Sequence, residues 1–256
     1  MLSKYGKLLS RFSQFSQNPI NSTFNVKITS KLSNTKHFEL RPYQKTEFDA
    51  VSDQLCTVFT DGEPLSLYLG LTREDILPTM RCAVERSAEE NLGIICVDQD
   101  TGKIAVSLVS YDVYNAKHKP FSPERINGGL QKIFELLELN ERDETLNPQK
   151  FGDVIEILAL ACTKEYSGLG LSKSTVEWAM KNHPIISKAK ALTASGTNPT
   201  TRILLEKIGW ETQGTLDLLN YQDHNGEKPF GSIKQELEKR NLFQNYQEVA
   251  YLRYSN

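Results

Sequence analysis

The stretch from Val154 to Lys181 constrains the fold more than any other part of the chain. Val-Ile-Glu-Ile-Leu-Ala-Leu-Ala-Cys, residues 154–162, is an apolar run of strand length, and it predicts a buried strand over 153–162. A glycine-bearing turn, Ser167-Gly168-Leu169-Gly170, follows, and a helical pattern then runs over 171–182. A strand that stops where a helix starts leaves the first helical amides unpaired and facing the turn. Their partial positive charge, with glycines permitting close backbone approach, makes a place for phosphate over Gly168 to Lys173. The same pattern also occurs with no ligand at all, so the turn alone does not assign one.

A second unit repeats this logic. Residues 189–195 read as a strand and 199–208 as a helix. Asn198 is placed to cap that helix, Pro199 suits its first position and Gly209 suits its end. Upstream, 37–43 reads as a first strand. A helix is expected over 45–59, with Phe48, Val51 and Leu55 on one face, and Glu63-Pro64 interrupts it. Thr72 is placed to cap a second helix reaching about Glu90, with a kink expected at Pro78. Residues 92–97 and 104–111 form a strand pair around Asp98-Gln99-Asp100-Thr101-Gly102-Lys103. An insertion at 115–150 holds a helix over 130–139. Strands at 211–221 and 248–254 and a short helix at 232–240 complete the order. Strands interleaved with helices in this way predict an α/β fold with a mixed sheet.

A chain of 256 residues is long enough for one large domain with a substantial core. No apolar stretch approaches the roughly 20 residues that span a bilayer, so a transmembrane protein is not expected. Cys56, Cys82, Cys96 and Cys162 lie far apart without metal-ligand or redox spacing, His37, His118, His183 and His224 are scattered, and no bound metal is expected. Residues 1–38 carry Lys4, Lys7, Arg11, Lys27, Lys31 and Lys36 and no acidic residue. Taking those positive charges from a net charge of −2 leaves −8 on the remainder. An acidic body argues against nucleic acid as the partner.

Within the basic segment Leu2, Tyr5, Leu8, Leu9, Phe12 and Phe15 recur at helical spacing between serines. That is the composition of a mitochondrial import presequence, with a plain basic tail on a cytoplasmic protein as the alternative. On either reading residues 1–36 are expected to lie outside the folded core, with a single domain over 37–256.

Three segments together resemble the GNAT superfamily of acetyl-coenzyme A-dependent N-acetyltransferases. They are Ser167-Gly168-Leu169-Gly170-Leu171-Ser172 after the strand, Asn198 opening a helix, and Lys207-Ile208-Gly209-Trp210 closing it. Val58-Phe59-Thr60-Asp61-Gly62-Glu63-Pro64-Leu65 with Leu69-Gly70-Leu71 resembles the entry motif of the arylalkylamine branch. The resemblance covers about 38–254. It implies a GNAT-type mixed, mostly antiparallel central sheet flanked by helices, with a V-shaped splay at the central strand. It implies acetyl-CoA as co-substrate and a small primary amine, arylalkylamine or polyamine, as acceptor. Coenzyme A contacts are then expected from Leu160, Ala161 and Cys162 on the strand, from Ser167, Gly168, Leu169, Gly170, Leu171, Ser172 and Lys173 on the turn, and from Asn198. Glu63 matches the base of that branch, and Thr197 and Thr201 match hydroxyls on and before its later helix. Phe59, Asp61, Glu63 and Tyr68 would suit a cation with an apolar body.

Two positions depart from the pattern. Ser167 stands where the phosphate motif carries Arg or Gln, removing a charge-assisted contact that Lys164 or Lys173 would partly offset. Leu205 stands where many members carry a Tyr that reprotonates the thiolate. The departures keep two other readings open, namely a non-catalytic structural or coenzyme A-sensing subunit of a larger (mitochondrial) assembly, and a protein or lysine acetyltransferase. The insertion, by narrowing the acceptor cleft, speaks against the latter.

Overall fold

The computed structural model describes residues 24–29, 35–118, 126, 128–140 and 146–255. The strands are β1 (Phe24–Thr29), β2 (Thr35–Pro42), β3 (Ile94–Asp98), β4 (Ile104–Asp112), β5 (Val154–Cys162), β6 (Ala191–Gly196), β7 (Glu211–Asp217) and β8 (Glu248–Ser255). The α-helices are α1 (Phe48–Gly62), α2 (Pro64–Leu69), α3 (Arg73–Glu89), α4 (Val113–His118), α5 (Gly128–Asn140), α6 (Leu171–Asn182), α7 (Pro199–Lys207) and α8 (Ile233–Lys239). All eight strands join one sheet in the order β1-β2-β3-β4-β5-β6-β8-β7. Every pairing is antiparallel except β5 with β6, which α6 connects as a crossover. The expected mixed, mostly antiparallel α/β sheet is what forms.

Helices cover both faces of this sheet, which explains why its inner strands read as unbroken apolar runs. Along β3, Ile94 and Cys96 join the cluster beneath α6, while Ile95 and Val97 join the cluster beneath α1, α3 and α5. Leu55, Ile76, Val84 and Leu136 fill the second layer, and Phe38, Leu108, Trp178 and Leu192 fill the first. The outer strand β7 is instead polar and mostly exposed, as suits a sheet edge that must not recruit another strand.

The central strand carries the irregularity that matters. β5 pairs with β6 only from Val154↔Ala191 to Ile157↔Ala194, then runs on to Cys162 alongside β4 alone. The β4–β5 register shifts here, Val109 facing Ala159 and Ser110 facing Ile157, so that Leu158 is the extra residue of a bulge. Side-chain direction records the same event. Ile155 and Ile157 face α6, Leu158 and Ala159 both face the other layer, and Leu160 returns. The V-shaped splay therefore opens at Leu158.

Several boundaries differ from the sequence reading. The strand expected at 37–43 spans Thr35–Pro42. The stretch 1–36, expected outside the folded core, contributes β1, which pairs along β2 from Phe24↔Leu40 to Thr29↔Thr35. An added strand satisfies backbone groups that β2 would otherwise leave at the edge, a gain that periodicity does not reveal. The amphipathic presequence candidate, Leu2 to Phe15, lies outside the described residues. The strand expected to reach Tyr221 stops at Asp217, whose carboxylate accepts the Leu219 amide at 2.9 Å and turns the chain. Helix α3 runs continuously through Pro78. No helix among the described residues is long and apolar enough to cross a membrane.

Candidate active site

Glu63 is held by the chain's own punctuation. It ends α1 and caps α2, its carboxylate accepting the amides of Leu65 at 3.1 Å and Ser66 at 2.6 Å. Pro64 supplies the pre-set first position and Gly70, at φ 64°, the left-handed end. These signals for α2 stand in the sequence, although Glu63-Pro64 is expected there only to interrupt the preceding helix. The Glu63 side chain is 7% exposed. Burial pushes its carboxyl above the ordinary range, against the opposing pull of hydrogen bonds from Ser66, Leu65 and the Thr197 hydroxyl.

The turn from β6 into α7 closes over this carboxylate. Asn198 caps α7 by accepting the Thr200 amide at 2.9 Å, and its Nδ2 donates to the Gly62 carbonyl at 3.2 Å. One side chain thus clamps the end of α1 to the start of α7. Tyr246, buried before β8, donates its hydroxyl to the Thr197 carbonyl at 2.7 Å. Burial, and then the neighbouring charge of Glu63, drive its phenol well above the ordinary value. No motif marks Tyr246, so sequence reasoning passed over it.

Two spaces meet at Glu63. A cleft lies in the splay, with Leu160, Asn198, Thr201 and Leu205 among its walls. An inner chamber lies under α3 and α5, walled by Ile76, Met80, Ile133 and Phe134. Phe59, Glu63, Ile157, Leu158, Ser195 and Thr197 line both. The insertion helix therefore forms one wall of the chamber, through Leu130, Ile133, Phe134 and Leu137 at helical spacing. A second carboxylate, Glu156, also faces the chamber at 6% exposure. Its sequence signal, a lone acidic residue inside an apolar run, went unread.

The glycine turn lies at the far end of β5. Gly168 and Gly170 adopt φ 79° and 76°, and an added Cβ at either would meet nothing within 4 Å. Gly170 caps α6, so the first-turn amides from Leu171 to Lys173 face outward over the turn. Ser167 and Ser172 both bring hydroxyls to the Cys162 thiol beneath. Burial pushes this thiol upward and the two serines, Ser172 first, partly offset that. Ser167 and Lys173 are exposed. Of the strand residues, Leu160 lines the cleft, Ala161 packs into the core below α1, and Cys162 sits under the turn. Thus Glu63, Thr197, Thr201, Asn198 and Leu160 come together at the splay, with the turn lying further along the same strand. Among the described residues no group of three His, Cys, Asp or Glu is placed to hold a metal ion.

No family model and no curated sequence matches the chain. Solved structures do. The C-terminal condensation domain of Ebony, in complex with β-alanyl-dopamine, superposes with a TM-score of 0.71 at 16% identity, covering 86% of this chain and 99% of that one. A mosquito arylalkylamine N-acetyltransferase-like protein, 5b, gives 0.67 at 18%, over 86% and 100%. The polyamine N-acetyltransferase of Drosophila melanogaster, which forms N-acetylagmatine, gives 0.61 at 14%, over 86% and 100%.

Proposed function

From a chain that has the GNAT acetyltransferase fold, we propose an acetyl-CoA-dependent N-acetyltransferase acting on a small primary amine. The observation that carries the reading is Glu63, a buried carboxylate standing where the splayed-strand cleft opens into a mostly apolar chamber.

The described residues fit a coenzyme A thioester. Positive-φ glycines and outward first-turn amides receive a pyrophosphate without displacing side chains. The β5 edge beyond Ile157, released by β6, offers backbone groups to an amide-bearing pantetheine arm, as an added strand would use them. Asn198 borders the same cleft. The turn carries no guanidinium, because Ser167 holds that position. The coenzyme supplies the activated acetyl group.

Acetyl transfer needs a neutral amine. Glu63 takes the ammonium proton, directly or through water, and a carboxyl raised by burial is a better base near neutral pH than an exposed one. The nitrogen then adds to the carbonyl, a backbone amide near 160–162 stabilises the oxyanion, and the C–S bond breaks as the N–C bond is completed. The nitrogen's second proton, released as the amide forms, passes to the departing sulfur, which leaves as the thiol, and Thr197 and Thr201 are the hydroxyls on the cleft wall placed to relay it. The chamber is enclosed by α5, which favours a small amine over a lysine in a folded protein.

Ser167 favours a second reading, a non-catalytic coenzyme A sensor. Calorimetric titration with acetyl-CoA, followed by a panel of amines, separates the two. Binding with no product from any amine would leave the sensor, and no binding would sink both. The basic N-terminal segment supports import into mitochondria, which a fluorescent reporter fused to it tests directly.

A further inference from the structure

We infer that Tyr246 is a positioning residue for the candidate base: from the entry to β8 it holds the turn at Thr197 so that the Thr197 hydroxyl stays on the Glu63 carboxylate. This rests on the role proposed above for Glu63 in acetyl transfer.

The turn between β6 and α7 needs such a holder. β6 ends at Gly196 and α7 begins at Pro199, so Thr197 belongs to neither element. Its amide donates to the Ser195 carbonyl at 3.1 Å, closing a three-residue turn. Its carbonyl accepts the Tyr246 hydroxyl at 2.7 Å, from 49 residues further along the chain. The next residue, Asn198, reaches the Gly62 carbonyl at 3.2 Å. Two side-chain bonds thus fix the turn, one from the start of β8 and one to the end of α1. Between them Thr197 and Glu63 come to line both the cleft and the chamber.

Presenting Tyr246 in this way strains the backbone. The link from α8 to β8 holds Asn241, Phe243 and Asn245 at φ 57°, 45° and 58°. Asparagine tolerates the left-handed region, whereas phenylalanine avoids it. Such strain persists where surrounding contacts over-determine it, and it gathers at functional sites. Here the Asn245 amide donates to the Glu238 carboxylate at 3.0 Å and the Tyr246 amide to the Phe243 carbonyl at 3.2 Å. The Phe243 and Tyr246 rings lie 6.1 Å apart. A phenylalanine at 246 would fill the same space; what the phenol adds is its bond to the turn.

That phenol stays neutral, because burial and then the charge of Glu63 drive its pKa well above the ordinary value. It therefore acts on Glu63 through the turn and not as a charge. Burial raises the Glu63 carboxyl, and the Thr197 hydroxyl is among the donors that pull the other way. Glu156 of β5 is the other titratable group on these walls. Among the described residues, those that α1, α3, α5, β6 and α7 bring to the walls add none. Without the Thr197 hydroxyl the carboxyl rises further, and the base is silenced at a higher pH.

The test is an NMR titration of the full-length protein made with carboxyl-labelled glutamate, the Glu63 signal being identified by its loss in Glu63→Gln. It reads the carboxyl whether or not acetyl transfer occurs. Tyr246→Phe and Thr197→Val are each expected to raise its midpoint by about half to one pH unit, the worth of one hydrogen bond. The double variant should move no further than Thr197→Val alone, because the phenol acts through that hydroxyl. Thr197→Ser keeps a hydroxyl and should stay near the parent. Should Tyr246→Phe fail to fold, para-fluorophenylalanine at position 246 fills the hydroxyl's space without donating and should give the same shift. The acidic limb of kcat/KM should move upward in step. An unmoved midpoint in the position-246 variant or in Thr197→Val overturns the positioning, as does a double variant whose shift is the sum of the two. Unmoved midpoints in a protein that acetylates amines sink the positioning and leave the transferase. Moved midpoints with no product from any amine sink the transferase and leave Tyr246 coupled to Glu63.

Discussion

Glu63 has to serve two purposes with one carboxylate. As a helix cap it is best charged, because it accepts two amides; as a buried group it is best neutral, and burial outweighs the hydrogen bonds so that its pKa is raised. Its folded-state pKa is raised, so its contribution to stability is complete below the ordinary carboxylate range and is lost as pH climbs through the folded value. At neutral pH, Glu63→Gln is therefore expected to melt no lower than the parent. Its turnover should nevertheless fall by about two orders of magnitude with donor affinity unchanged. Raising the pH should restore part of the rate, because more amine arrives neutral. Steady-state kinetics across pH, set beside melting curves, check both halves. Parental turnover with an unaltered acidic limb would remove Glu63 as the base.

At the scale of elements, α6 and its entry turn are what a phosphate would meet. Gly170 takes φ 76° with open space where a Cβ would stand, so no packing contact requires glycine there. Gly170→Val is expected to cost about 1–2 kcal/mol in backbone strain, seen as a modest drop in melting temperature. It should weaken acetyl-CoA binding far more than that strain explains, since the new side chain occupies the approach to the first-turn amides. A folded Gly170→Val protein that binds acetyl-CoA like the parent would place the donor elsewhere. Helix α2 teaches the complementary lesson. Glu63, Pro64 and Gly70 spell a short capped helix, yet a segment of this length shows too little periodicity to announce itself.

Acid tolerance belongs to the whole molecule, and His183 governs part of it. This side chain is buried where α6 ends, and its Nδ1 accepts the amides of Ile185 at 3.4 Å and Ile186 at 3.3 Å. Burial pushes its pKa down from 6.5 to about 4. The unfolded chain thus binds a proton between those values that the folded chain refuses, so stability falls as pH drops through that window, by about 3 kcal/mol in all. Denaturant unfolding from pH 7 to 4 should show this slope in the parent and lose most of it in His183→Gln. Equal slopes in both proteins would contradict the assignment. What the sequence by itself determined was the order of elements from 154 to 207, because strand runs, caps and glycine stops act through near neighbours. It also showed which turn could receive phosphate. Tertiary structure alone decided that β1 extends the sheet and that Leu158 starts the splay. It also turned Tyr246 and Glu156 toward the site and put Gly93 where a Cβ would fall 2.2 Å from the Tyr43 ring. The reason is physical. A carboxylate becomes a base through what encloses it, and residues distant in the chain do the enclosing.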